Sequence, residues 1–208
     1  MDPSLQEFFR RQDESDDSQF YVVPRKVVHI DDHAIAALTG LYRQILSDGD
    51  SILDLMSSWR SHLPAELKLS RVVGLGMNAN ELADNPQLAE WLLHNLNQDR
   101  ALPFADASFE AAVCAVSVQY MTRPLEVFRE VLRVLKPGGV FALSFSNRCF
   151  PSKAVEGWLY SSDEQHLGIV QAYFKASGGW RDVTAEDRTP QRRRGMEDPL
   201  FAVRAYKP

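Results

Sequence analysis

Short apolar runs alternate along this chain with stretches whose apolar residues recur every three or four positions, and that alternation predicts a parallel sheet with helical crossovers. The runs are Ile52 to Leu55, Val72 to Leu75, Leu92 to Leu96, Ala112 to Val118 and Val140 to Phe145. Two more strands are expected near Arg181 to Glu186 and Leu200 to Tyr206. Between the fourth and fifth runs, Leu125, Val127, Phe128, Val131, Leu132, Val134 and Leu135 share one face of a helix. Lys136-Pro137-Gly138-Gly139 should stop it, since Pro cannot continue a helix and Gly serves its C-terminus. Helices are also expected around Ala154 to Tyr160 and Asp163 to Lys175.

Three segments follow from the pattern. Residues 1–19 begin with Asp2-Pro3, a helix start, and end in the acidic run Asp13-Glu14-Ser15-Asp16-Asp17, which reads as a solvated linker. Residues 20–50 open extended from Phe20 to Ile30. Asp31-Asp32 then caps a helix with Ile35, Ala36, Leu38, Leu41 and Ile45 at helical spacing. Residues 51–208 carry the alternating pattern.

Composition narrows the function classes. The 208 residues, 45% hydrophobic, suffice for one α/β core. A net charge of −5 without a basic block speaks against a nucleic-acid partner, which needs clustered Lys and Arg. No apolar run approaches the roughly 18 residues that span a bilayer, and the N-terminus lacks signal-peptide character. A soluble intracellular protein without a membrane partner is expected. Cys114 and Cys149, unpaired, fit a reducing compartment and suggest neither a disulfide nor a metal site.

The stretch Ser51-Ile52-Leu53-Asp54-Leu55-Met56-Ser57-Ser58-Trp59-Arg60 reads as a nucleotide-binding strand and turn without its glycines. Met56, Ser58 and Arg60 stand where Gly would take positive φ and let a ligand approach the backbone. Together with Leu102-Pro103-Phe104, Ser108-Phe109-Glu110 and Arg133-Val134-Leu135-Lys136-Pro137-Gly138-Gly139, it resembles the class I S-adenosylmethionine-dependent methyltransferases, above all the group that includes the quinone-biosynthesis C-methyltransferases. The resemblance runs from about Ser51 to Asn147. It implies a three-layer Rossmann-like α/β fold of seven strands, mostly parallel with one antiparallel edge strand, under a helical lid from residues 20–50. It also implies S-adenosylmethionine as cofactor and methyl transfer to a small-molecule acceptor.

Site residues follow from the same resemblance. Asp54 is the first-strand acid, and Met56, Ser57 and Ser58 form the turn around the methionine moiety. An acid should end the second strand and hold the ribose. That place falls on Gly76, followed by Met77 and Asn78, so the carboxylate is absent and Asn78 is the polar substitute. Losing hydrogen bonds to a charged group costs about 1.5–3 kcal/mol each, roughly ten- to hundredfold in affinity, so weak cofactor binding is expected. Asn78→Ala should weaken it further, and Gly76→Asp should tighten it. In Asn95-Leu96-Asn97-Gln98-Asp99, Gln98 or Asp99 is expected to take the adenine amino group. Ser117 lines the methyl-transfer site, where Gln119 or Tyr120 orients an acceptor. Acceptor recognition falls to Phe20, Tyr21, His29, His33, Asn147 and Arg148, with His29 the candidate base, while Arg192-Arg193-Arg194 reads as a solvated loop.

Other readings stand beside this one. A catalytically inactive relative would use the same crevice to bind a metabolite or a protein partner. Gly74-x-Gly76-x-x-Ala79 after a strand fits a nicotinamide fingerprint, but that register misplaces the first strand and both later blocks. Ser57, Ser58 and His62 suggest a hydrolase, yet no G-x-S-x-G elbow surrounds either serine.

Overall fold

The computed structural model describes residues 3–190 and 197–208. After two short N-terminal helices, α1 (Pro3–Phe8) and α2 (Asp17–Phe20), and the longer α3 (Asp32–Ile45), the chain enters β1 (Ser51–Leu55), β2 (Arg71–Gly76), α4 (Ala79–Ala83), β3 (Glu90–Leu93) and β4 (Phe109–Ala115). A 3₁₀ turn (Val118–Tyr120) leads to α5 (Pro124–Val134) and β5 (Leu135–Phe145). The remainder is α6 (Glu156–Leu159), α7 (Asp163–Ser177), β6 (Arg181–Asp187) and β7 (Phe201–Tyr206). The strands form one seven-stranded sheet in the order β3-β2-β1-β4-β5-β7-β6. From β3 to β5 every pairing is parallel, and β7 runs antiparallel to both of its neighbours, β5 and β6. The direction of the sequence therefore reverses across β1 and β4, where an α/β sheet opens its ligand crevice.

Both faces of the sheet are covered. On one, Ala34, Leu38, Leu41 and Tyr42 of α3 pack on Ile52, Val72, Val113 and Val140. On the other, Val127, Phe128 and Val131 of α5 meet Val170 and Phe174 of α7 over Phe141 and Leu143. Phe128 makes edge contacts with Phe141, Tyr173 and Phe174 at centroid distances of 5.1, 5.9 and 4.7 Å. The cap read at Asp31 also forms, its side chain accepting from Ala34 N at 2.8 Å.

Four expectations change. Residues 56–70 form no helical crossover between β1 and β2. Ser57 and Ser61 spend their hydroxyls on Asp54, and Asn85 binds the Ser58 carbonyl, side-chain bonds that compete with helix formation. The third strand lies at Glu90–Leu93 rather than Leu92 to Leu96, and all four of its residues are exposed at the sheet edge. Lys136-Pro137-Gly138-Gly139 does not end α5. The helix stops at Val134, and those four residues bulge between the Phe109–Leu135 and Ala111–Val140 pairs, with Gly138 at φ +80°. Nor is the acidic run solvated throughout. Lys153, fully buried, places its ammonium 3.0 Å from Asp13 and 3.2 Å from Asp17, and Asp17 also takes two bonds from Arg11.

The part of residues 20–50 that covers the crevice is also not helical. Helix α3 belongs to the core, and the cover is the extended strap from Tyr21 to Ile30. Side chains from beyond β1 and β2 tie down this strap. Asn78 donates to the carbonyls of Tyr21 and Val22, and Glu81 accepts from Arg25 N. Trp59 Nε1 donates to the Val27 carbonyl at 3.1 Å, and Lys26 pairs with Asp84.

Candidate functional site

Beneath the strap, at the C-terminal ends of β1, β2 and β4, lies a cavity of about 120 Å³. A second, of about 440 Å³, opens beside it, and the two share Val28, His29, Ile30, Val116, Tyr120 and Phe150 as walls. Backbone strain marks the floor. Met56 and Val116, the residues that leave β1 and β4, hold φ at +54° and +50°, a region costly for a β-branched residue.

Asp54 enters the first cavity from β1. Its carboxylate accepts the hydroxyls of Ser57 and Ser61, each at 2.6 Å. Burial pushes its pKa up to about 6, and the two hydroxyl bonds oppose that rise. The turn that follows folds back over β2, with Ser57 N bonded to the Leu75 carbonyl at 2.7 Å. This explains Gly76. A Cβ there would lie 2.2 Å from the Ser57 carbonyl oxygen and 3.0 Å from Leu82 Cδ2. The expectation that Gly76→Asp restores the ribose acid is overturned, because the turn occupies the space that such a side chain needs.

Asn78 is committed at both ends. Its oxygen caps α4, accepting from Asn80 N and Glu81 N at 3.0 and 3.1 Å, and its amide holds the strap. Met56, Ser57, Ser58, Met77 and Ser117 line the cavity, as do Gly76 and Asn78. Gln98 and Asp99 do not. They close a turn onto the Asn95 carbonyl, and the residues that reach the cavity there are His94, Asn95, Leu96 and Asn97. The strand explains this register. His94 N is fixed to the Gly76 carbonyl at 2.9 Å, so the first residues after β3 turn inward. His94 Nε2 is buried without a partner, the kind of group a ligand satisfies.

Tyr120 lies between the two cavities and its hydroxyl accepts from Phe150 N at 2.9 Å. Burial pushes its pKa up to about 12, so it stays protonated. Gln119 does not line either cavity. Its amide donates to the Val116 carbonyl at 3.0 Å. His29 faces both cavities edge-on to Phe150 at 5.3 Å, and burial lowers its pKa. Tyr21 lines the first cavity and Arg148 the second, whereas Phe20, His33 and Asn147 line neither. Arg192-Arg193-Arg194 lies outside the described residues. Among the described residues no group of His, Cys, Asp and Glu could hold a metal ion, and no helix is long and apolar enough to cross a membrane.

Sequence reading missed Glu81, His94, Asn95 and Arg25, all of which line the first cavity. For His94 and Asn95 a signal existed, their place directly after an apolar run. Gln98 and Asp99 were placed after a third strand read as Leu92 to Leu96, and that strand ends at Leu93. Glu81 reads in sequence as the third residue of a capped helix, and nothing there shows that it is buried.

Known proteins agree with this geometry. Residues 60–143 match the family described as "Methyltransferase domain", beginning just past the altered turn. The biotin biosynthesis bifunctional protein BioHC of Teredinibacter turnerae is 39% identical over 71 residues, 34% of this chain and 12% of that protein. The ubiquinone/menaquinone biosynthesis C-methyltransferase UbiE of Roseobacter denitrificans is 40% identical over 83 residues, 39% of this chain and 31% of that protein. The chain thus spans less than a third of the length of these relatives. Among solved structures, a Haloferax volcanii putative methyltransferase in complex with the Trm112 methyltransferase activator superposes with a TM-score of 0.63 at 16% identity, covering 85% of this chain and 90% of that one. The matched segment and the fold resemble the class I S-adenosylmethionine-dependent methyltransferases. The relatives it matches include the quinone-biosynthesis C-methyltransferases.

Proposed function

We propose that this protein transfers a methyl group from S-adenosylmethionine to a small-molecule acceptor, with the donor in the crevice beneath the strap and the acceptor in the adjoining cavity. The observation that carries this reading is the shared wall. Two cavities meet at Val116, Tyr120 and His29, at the switch point of a methyltransferase-type sheet.

The residues present fit the donor in part. His94 and Asn95 would meet its base, and Asp54 with the Met56 to Ser58 turn would face its amino-acid portion. About 120 Å³ is below the roughly 300–1,000 Å³ of typical ligand pockets, so binding requires the strap to yield. When bound, the sulfonium supplies an electrophilic methyl group. The chain's own part is then to align the acceptor and exclude water. Tyr120, protonated and anchored by Phe150 N, can donate its free proton to an acceptor oxygen. Of the three catalytic candidates, His29 alone carries a basic nitrogen, and it faces both cavities with its pKa lowered by partial burial, so it is the group suited to take a proton from the acceptor.

Transfer should therefore fail only as pH falls through the lowered His29 pKa. The acid limb of the rate profile is expected below 6.5 in the wild type and absent in His29→Gln. A limb that survives the substitution would assign it elsewhere. The reading as a whole is tested by calorimetric titration with S-adenosylmethionine and S-adenosylhomocysteine. Saturable binding of both is expected. Silence with both overturns methyl transfer in favour of a non-catalytic binding module.

A further inference from the structure

Three carboxylates line the cavity beneath the strap: Asp17, Asp54 and Glu81. Asp17 is saturated by Arg11, Asn97 and Lys153. Asp54 sits at the end of β1 with two serine hydroxyls on one oxygen. Glu81 differs from both. It is 8% exposed, stands one helical turn past Asn78, and adjoins Leu82, whose side chain touches the space next to Gly76. Its charge is therefore held close to where β2 would have presented an acid, had the turn not closed over Gly76.

The partners of Glu81 are also exchangeable. One oxygen accepts the Ser58 hydroxyl at 2.6 Å, and that hydroxyl can rotate away. The other accepts Arg25 N, which belongs to the strap and not to the sheet. A carboxylate whose two oxygens each hold one replaceable donor is suited to a pair of adjacent hydroxyls.

We infer that Glu81 binds the vicinal diol of the donor's ribose in place of the acid that β2 lacks, and that in doing so it releases the strap at Arg25. This rests on the proposed binding of S-adenosylmethionine. It adds that the missing acid has been supplied from α4, and that the same carboxylate keeps the strap down until a diol displaces it.

The test is calorimetry with S-adenosylhomocysteine and its 3′-deoxyribose analogue, on the wild type, Glu81→Gln and Glu81→Asp, with thermal unfolding to confirm that each is folded. The wild type should prefer the full ribose by about ten- to hundredfold. Glu81→Gln, which can still accept Arg25 N, should bind S-adenosylhomocysteine more weakly by a similar factor and treat the two ligands alike. Glu81→Asp, shorter by one methylene, should discriminate to an intermediate degree. If Glu81 only holds the strap, its loss shifts both ligands equally and leaves the preference for the full ribose intact, which overturns the inference while sparing the methyltransferase reading. A wild type that binds neither ligand overturns both.

Discussion

The two halves of the sheet are built in different ways. Around β4, β5, β7 and β6, helices α5 and α7 supply long apolar faces, and the aromatic side chains Phe128, Phe141 and Phe174 interlock. Around β1, β2 and β3 the connections carry one helix of five residues, and side-chain hydrogen bonds from Ser57, Ser61, Asn78 and Asn85 do what crossover helices do elsewhere. The first half draws its stability from burial. The second gives up burial for a lined crevice, and it holds the strained backbone at Met56 and the perturbed carboxylate of Asp54.

The comparison can be broken most directly in the packed half. Phe128→Ala should cost about 3–5 kcal/mol in urea unfolding. A loss below about 1 kcal/mol would mean that this half does not carry the fold. In the crevice the sign should reverse. Asp54 has a folded pKa of about 6 against an unfolded value of 3.8, so its burial destabilises above the folded pKa, and that penalty fades as pH falls towards 4. Asp54→Asn should therefore stabilise by up to about 3 kcal/mol at pH 7.5, with little gain at pH 4. Equal effects at the two pH values would show that the carboxylate is at ease where it sits. Gly76→Ala sharpens the picture of the closed turn: a cost of about 1–3 kcal/mol is expected from forcing Ser57 off β2, and a neutral result would mean that the turn is free to open. The smallest effect separates stability from binding. His94→Phe removes an unpartnered buried nitrogen, so stability should hold or rise slightly while S-adenosylhomocysteine affinity drops about tenfold. Unchanged affinity would remove His94 from the base contact.

Legibility in the sequence follows the same division. Helix α5, the Asp31 cap, the last hairpin and the parallel core could be read because burial imposes a period on them. The glycine-free turn was visible as an anomaly at Met56 and Ser58. Its consequence was not, since the conflict between Ser57 and a Cβ at residue 76 is a contact between the turn after β1 and the end of β2. Strand β3 reads as apolar but is exposed, because whether Trp91, Leu92 and Leu93 are covered depends on the length of α4, which local pattern does not fix. The base-facing residues were sought at Gln98 and Asp99 because the third strand was read as Leu92 to Leu96, and it ends at Leu93. The ladder from Gly76 to His94 sets the register instead.

Lys153 ties the beginning of the chain to its middle in a way that bears on how the molecule tolerates being cut. Its ammonium has no access to water, and its countercharges, Asp13 and Asp17, come from the segment before the strap. A protease nick or deletion that removed that segment would strip the Lys153 ammonium of every polar partner it has and open its site to solvent. The opening residues therefore act less as a tail than as a plug over Lys153.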